Sequence, residues 1–292
     1  MLIAVASGKG GTGKTTVATN LAAALAGRAQ LIDCDVEEPN IHLFLHPKII
    51  HHQEVTKPIP QIDFEKCLFC GACQNICQFN AIAVLKNSVL TFPELCHSCG
   101  GCRAVCPTEA IREVPRLIGR IETGWAGELG VITGRLMVGE PMAPPLIRAV
   151  KRQIDKTKIV IIDAPPGTSC SVIQSLRNCD FCLLVTEPTP FGWHDLKLAV
   201  ATVRQMGIPF GVVINRADIG SGEVEEWCAE EGVPILLKIP FQREIAVAYS
   251  RGQLLLDLDP AWKRIFLELC QRVQKLSGRK SGGEGAETDN CS

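Results

Sequence analysis

Residues 2–16 read LIAVASGKGGTGKTT, a continuous apolar run, a loop holding four glycines and the start of TTVATNLAAALAG, whose apolar residues recur at helical spacing. Gly8 to Thr15 fills every fixed position of G-x-x-x-x-G-K-[ST]. The pattern needs a strand ending into the loop and a helix starting from it, because the glycines let successive backbone N–H groups wrap an anion and the helix N-terminus adds a partial positive charge. Gly8, Gly10, Gly11, Thr12, Gly13, Lys14, Thr15 and Thr16 are therefore read as a phosphate cradle, with Lys14 reaching β- and γ-phosphates and Thr15 offering its hydroxyl to Mg²⁺. A glycine-rich turn that binds nothing is the plain alternative, and the strand before it and helix after it argue against that.

Five more apolar runs follow: QLIDCD at 30–35, KIVIIDAP at 158–165, FCLLVTEP at 181–188, FGVVIN at 210–215 and ILLKIP at 235–240. None alternates, as expected of strands buried on both faces of a parallel sheet, and helical patterns such as DLKLAVATVRQMG separate several of them. Strand-then-helix repetition predicts an α/β, doubly wound, mostly parallel sheet.

Between about residues 58 and 114 the rhythm stops. CLFCGACQNICQFNAI at 67–82 and CHSCGGCRAVCPTEAI at 96–111 share one spacing, so an internal duplication of roughly thirty residues is read there. Each half carries C-x₂-C-x₂-C-x₃-C: Cys67, Cys70, Cys73 and Cys77, then Cys96, Cys99, Cys102 and Cys106. A cubane needs four converging thiolates, and three from a tight loop plus one from a distant segment supply them without strain. Zinc is the alternative, but it would use two pairs and not two triplets with trailing cysteines. In bacterial two-cluster ferredoxins the fourth cysteine of each run serves the other cluster. That resemblance implies one [4Fe–4S] cluster on Cys67, Cys70, Cys73 and Cys106 and a second on Cys96, Cys99, Cys102 and Cys77. Pro107 follows Cys106 as in that pattern, whereas Gln78 stands where the first proline would be.

The loop carries a second lysine, Lys9, and KGGTGKTT resembles the deviant Walker A motif of the MinD/ParA/Mrp and nitrogenase iron protein group of P-loop ATPases. The resemblance implies ATP and Mg²⁺ as cofactors and a nucleotide-dependent homodimer in which Lys9 crosses to the partner's nucleotide. It also implies catalytic roles for Lys9, Lys14 and Asp35, the last orienting the attacking water. Asp33 in LIDCDVEEPN and Asp163 in IVIIDAPPGTS join Thr15 around Mg²⁺, Gly167 lies near the γ-phosphate, and Asn215 and Pro240 match positions that contact adenine. Aspartates at strand ends are commonly helix caps, and it is three in register with the loop that favours the functional reading. As a whole the chain resembles MinD/Mrp-type ATPases that carry an inserted ferredoxin domain. RLMVGEPMAPPLIRAVKR resembles the segment that follows the insertion in that subgroup.

The expected organisation is an ATPase domain in two parts, 1–57 and 115–276, a ferredoxin-like insertion at 58–114 and a disordered tail at 277–292. Thirty basic residues against thirty-one acidic ones point to neither nucleic acid nor a membrane surface. The chain opens on MLIAVAS, without a basic leader, and reads as cytoplasmic, so fifteen cysteines argue for metal and not disulfides. Outside the block, Cys34, Cys179, Cys182, Cys228, Cys270 and Cys291 are mostly read as core, and Cys170 sits where the nitrogenase iron protein places a bridging-cluster ligand. Three functions compete. An ATPase could gate electron transfer through the clusters to an unidentified redox partner, or a carrier could load clusters onto an apo-acceptor protein. A positioning ATPase would need a membrane anchor, for which AWKRIFLELCQRVQKL is the only candidate, and that pattern belongs more often to a helix packed on its own domain.

Overall fold

The computed structural model of the protein describes residues 1–220 and 222–278. Among the described residues eleven strands are formed: β1 (Leu2–Ala6), β2 (Ala29–Asp33), β3 (Lys48–Ile62), β4 (Ile82–Leu85), β5 (Ser88–Thr91), β6 (Ile111–Ala126), β7 (Leu129–Leu136), β8 (Ile159–Asp163), β9 (Phe181–Thr186), β10 (Phe210–Asn215) and β11 (Ile235–Ile239). The helices are α1 (Lys14–Leu25), α2 (His42–Leu45), α3 (Ala72–Ile76), α4 (Gly101–Ala104), α5 (Pro144–Lys151), α6 (Cys170–Leu176), α7 (Pro190–Gln205), α8 (Glu223–Glu230), α9 (Arg243–Ser250), α10 (Leu255–Leu258) and α11 (Ala261–Ser277). All six apolar runs are strands.

Nine strands form one sheet in the order β11-β10-β9-β1-β8-β2-β7-β6-β3. Pairing is parallel from β11 through β7, and antiparallel from β7 to β6 and from β6 to β3. Side chains alternate across this sheet and feed two cores. Ala4, Ala6, Ile32 and Ile162 face α5, α6 and α7, while Ile3, Val5, Leu31 and Ile161 face α1 and α11. The apolar stripe of α11, with Phe266, Leu269 and Val273 fully buried, packs on α1, so this helix is a wall of its own domain. No helix among the described residues is long and apolar enough to cross a membrane.

Five strands, β3, β4, β5, β6 and β7, are not legible as strands in the sequence, and three of them, β3, β6 and β7, belong to the main sheet. β3 is polar on most of its length and holds Pro58 and Pro60, which an edge strand tolerates because no strand lies on its outer side to need their missing N–H groups. β3 and β6 pair from Lys48↔Trp125 to Ile62↔Ile111, with register shifts at Ile49/His51 and Val55/Thr56, and the pairing is regular through the expected boundaries at 57/58 and 114/115. The cysteine block is therefore carried on a stem continuous with the main sheet. α11 continues one residue past the expected 276, Gly278 caps it, and the rest of the expected tail lies outside the described residues.

The duplication is visible in the backbone. Phe69 and Ser98, Gly71 and Gly100, and Asn80 and Glu109 all have positive φ, each pair offset by the same 29 positions as Cys67 and Cys96. Asp63 N–H donates to the Ala110 carbonyl at 2.7 Å and Phe92 N–H to that of Ala81 at 2.8 Å, so each half opens by bonding to the end of the other.

Phe266→Ala should destabilise the protein by about 3–5 kcal/mol, because it opens a cavity between α1 and α11. Leu198→Ala on an exposed face should stay within about 0.5 kcal/mol. Urea unfolding of the metal-free protein measures both, and equal midpoints would contradict the packing.

Candidate functional site

β1 lies between β8 and β9, so the loop that follows it opens at the carboxyl edge of the sheet where the strand order reverses, the usual ligand crevice of open α/β sheets. Gly11 and Gly13 have φ of 78° and 95°, which only glycine adopts at no cost. A Cβ on Gly13 would also stand 2.5 Å from the Asn215 amide nitrogen, and that amide donates to the Thr12 carbonyl at 3.0 Å. Asn215 thus pins the loop from the end of β10. Its neighbour in the β10–β11 register is Ile239, which brings Pro240 to the same edge.

The acids expected around Mg²⁺ meet here. Thr15 donates its hydroxyl to Asp163 Oδ2 at 2.7 Å, while Asp163 Oδ1 and Thr12 Oγ1 are buried without a hydrogen-bond partner among the described residues. Asp33 accepts from the N–H groups of Asp35, Asn40 and Ile41 through its two oxygens, which fixes the chain after β2. Gly167, at φ 92°, donates its N–H to the Ser7 carbonyl at 2.9 Å and closes the crevice from the β8 side. Lys14 is buried and its charge is felt at Asp35 and Asp163. Burial outweighs that charge: Asp35 and Asp163 are both pushed up to about 6. Burial, and after it the Asp163 charge, also raises Asp33 well above the carboxylate range.

Lys9 is held within the chain. Its Nζ lies 2.7 Å from Glu187 Oε1, and Arg216 takes Oε2 at 3.0 Å. Glu187 and Arg216 were missed in the sequence. The available signal was position: Glu187 directly follows β9 and Arg216 directly follows β10, at the same edge as the loop.

The eight cysteines of the duplicated block line two cavities. One is walled by Cys77, Cys96, Cys99 and Cys102, with Pro58 and Pro60 of the stem. The other is walled by Cys67, Cys70, Cys73 and Cys106, with Ile62 and Ile111 at the stem's far end. The trailing cysteine of each half therefore stands with the triplet of the other. Cys77 Sγ accepts from Ala81 N–H at 3.3 Å and Cys106 Sγ from Ala110 N–H at 3.2 Å, the same bond in both halves. Burial pushes Cys102 up to about 11 and also raises Cys73, whereas at Cys106 the N–H groups of Thr108 and Ala110 outweigh burial and lower the thiol. His97 stacks on Phe79 with centroids 3.6 Å apart, and burial followed by the Lys57 charge lowers its imidazole.

No three of His, Cys, Asp or Glu among the described residues close on a point where a single ion would sit. Four cysteines line each cavity, the ligand number that a [4Fe–4S] cluster takes, and the positive iron of such a cluster would hold buried sulfurs as thiolates. Of the other cysteines, Cys34, Cys179, Cys182, Cys228 and Cys270 are buried and Cys170 is exposed at the start of α6. Cys291 lies outside the described residues.

The raised carboxylates give a pH dependence. A carboxyl whose pKa rises on folding binds its proton more tightly in the fold, so its stabilisation is present below its ordinary pKa near 3.8 and is lost as pH climbs through about 6. Asp163→Asn removes the buried charge and can still accept from Thr15. The nucleotide-free variant should be more stable than wild type at pH 7.5, by about 1–3 kcal/mol, and should lose that advantage at pH 4. Thermal unfolding at the two pH values checks this, and a variant less stable at both would overturn it.

Residues 3–256 match the family model of the CobQ/CobB/MinD/ParA nucleotide binding domain. An uncharacterized protein of Methanocaldococcus jannaschii is 31% identical over 281 residues, covering 94% of this chain and 97% of that protein. An iron-sulfur cluster carrier protein of Pyrococcus horikoshii is 28% identical over 308 residues, 96% of this chain and 88% of the other. Among solved structures, the cell division ATPase MinD of Pyrococcus furiosus shares the fold with a TM-score of 0.58 at 21% identity, over 94% of this chain and 98% of that one. The septum site-determining protein MinD of Pyrococcus horikoshii, complexed with Mg-ADP, does so at 0.55 and 20% identity, over 95% and 97%. With the phosphate loop at the carboxyl edge of a mostly parallel sheet and a family model matched over that length, the chain belongs to the CobQ/CobB/MinD/ParA nucleotide-binding family.

Proposed function

We propose that the protein is an ATPase whose nucleotide state is coupled to electron transfer through two [4Fe–4S] clusters to a partner protein. The observation that carries this reading is continuity: the stem that holds both cysteine cavities is part of the sheet whose edge holds the phosphate loop. The cubanes supply one-electron transfer. The protein holds them by the crossed cysteine sets, as an inserted ferredoxin-like module.

At the nucleotide site Lys14 would meet the β- and γ-phosphates, and Thr15 with Asp163, whose Oδ1 has no hydrogen-bond partner among the described residues, would hold Mg²⁺, which neutralises phosphate charge. Asp33 stands behind them and fixes the loop that presents Asp35. With its pKa near 6, Asp35 is mostly ionised at neutral pH and able to orient a water. Asn215 and Pro240 border the base, and Gly167 the γ-phosphate. Lys9 would leave Glu187 to reach a second copy's nucleotide in an ATP-dependent homodimer.

Cluster delivery to an apo-acceptor is the second reading. The carrier name of the Pyrococcus horikoshii relative favours it, as does the exposure of Cys70 and Cys99, one in each cavity. Incubating holo-protein with an apo-ferredoxin separates the two: retained iron supports electron transfer and transferred iron supports the carrier.

Anaerobically reconstituted protein should contain about eight iron atoms per chain. Lys14→Ala should weaken ATP binding at least tenfold by calorimetry and leave the iron content unchanged. Unchanged affinity would overturn the nucleotide site, and stoichiometric zinc without iron would overturn the clusters. Because coupling is reciprocal, ATP should bind oxidised and reduced protein with different affinity. Equal affinity would leave the two modules merely tethered.

A further inference from the structure

Lys57 Nζ lies 2.7 Å from Glu140 Oε1, with the two side chains only 3% and 2% exposed. Arg116 Nη2 stands 3.8 Å from Glu140 Oε2 and 2.9 Å from Glu94 Oε1. Four charges thus form a chain, Lys57–Glu140–Arg116–Glu94. It runs from β3, through the turn before α5 and across β6, to a residue two positions before Cys96. A buried ion pair is commonly no more stabilising than apolar side chains of the same shape, so stability alone does not account for it.

What distinguishes the chain of charges is where it lies. Pro58, next to Lys57, walls the cavity of Cys77, Cys96, Cys99 and Cys102, and its carbonyl accepts from the Ser98 hydroxyl at 2.7 Å. The cavity of Cys67, Cys70, Cys73 and Cys106 begins at Ile62 and Ile111, the far end of the stem. The two cavities match in their ligands and differ in their distance along the stem from these charges.

We propose that this chain of charges sets the reduction potential of the cluster on Cys77, Cys96, Cys99 and Cys102, the one nearer the nucleotide domain, and not that of the farther one. The proposal rests on the reading that both cavities hold [4Fe–4S] clusters. Each titrates by one electron, taken from an external one-electron donor such as dithionite, with the core passing from 2+ to 1+ and no bond made or broken. Reduction adds one negative charge to the cavity, so nearby cations favour the reduced form and nearby anions the oxidised form. Lys57 and Arg116 act here as positioning residues: they touch no reacting atom and work through the field.

The test is a dithionite titration of the reconstituted full-length protein with redox mediators, followed by electron paramagnetic resonance. Cys99→Ser identifies the nearer cluster's signal by removing it. Lys57→Gln and Arg116→Gln should lower that cluster's midpoint, while Glu140→Gln and Glu94→Gln should raise it. A tenfold change in the reduction equilibrium, about 59 mV for one electron, is the expected scale for the buried pair. The farther cluster should stay within a threefold change. Opposite signs are decisive, because Lys57→Gln and Glu140→Gln break the same contact and a loosened structure would move both one way. Arg116 and Glu94 are partly exposed, so their variants carry the sign test should the buried ones fail to fold. Shifts of one sign, equal shifts of both clusters, or no shift overturn the proposal. Absence of iron overturns the cluster reading and this proposal with it, whereas iron with unmoved midpoints overturns this proposal alone.

Discussion

Three carboxylates and one ammonium crowd the carboxyl edge of the sheet, and the surrounding structure serves to keep them there. Asp33 and Asp163 end paired strands at the same level, Asp33↔Asp163, and Asp35 follows two residues on. Burial outweighs their compensation and pushes all three pKa values up. Lys14 lies buried at the start of α1, and its charge lowers Asp35 and Asp163 without offsetting their burial. The parallel strands β1, β2 and β8 make such crowding possible, because they end together and are too well packed on both faces to move apart.

The cysteine module obeys a different constraint. Below a few tens of residues a chain cannot bury enough apolar surface to order itself, and metal ligation is one common remedy. Here the two halves support each other by exchanging an opening backbone bond and a trailing cysteine. The exchange makes neither half complete alone. The stem adds the asymmetry that the duplication lacks, since one cavity abuts Pro58 and the other Ile62.

How much of this could be read from the sequence follows from the range of each interaction. The phosphate loop and the cysteine spacings are local and fully written in the chain. The six buried strands were legible because a strand covered on both faces is apolar throughout. β3 and β6 were not, since an antiparallel ladder with one open face mixes His51, Gln53 and Glu54 with Val55 and carries prolines besides. Lys57 and Glu140 are 83 positions apart, and neither residue announces its partner. The same holds for Lys9 with Glu187 and Thr12 with Asn215, pairs that only the fold brings together. Asp33 was legible as a strand-end acid, but not as an acceptor whose two oxygens are engaged by backbone.

Glu187 shows how the sheet edge reconciles stability with exchange. A buried carboxylate stripped of its only cation would be left unpaired in low dielectric, which costs several kcal/mol. Glu187 has two cations, one on each oxygen: Lys9 from the loop after β1 and Arg216 from the end of β10. Arg216 is held in the left-handed region, φ 54°, a conformation that a non-glycine residue keeps only when its surroundings fix it. It follows Asn215, whose amide already holds the phosphate loop, so both fastenings come from one strand end. Release of Lys9 therefore leaves Glu187 still paired, and the lysine can be given up to a competing anion at a fraction of the cost of baring a charge. Asn215 and Arg216, neighbours at one strand end, divide the work: the first fixes the loop, and the second keeps Glu187 paired independently of Lys9.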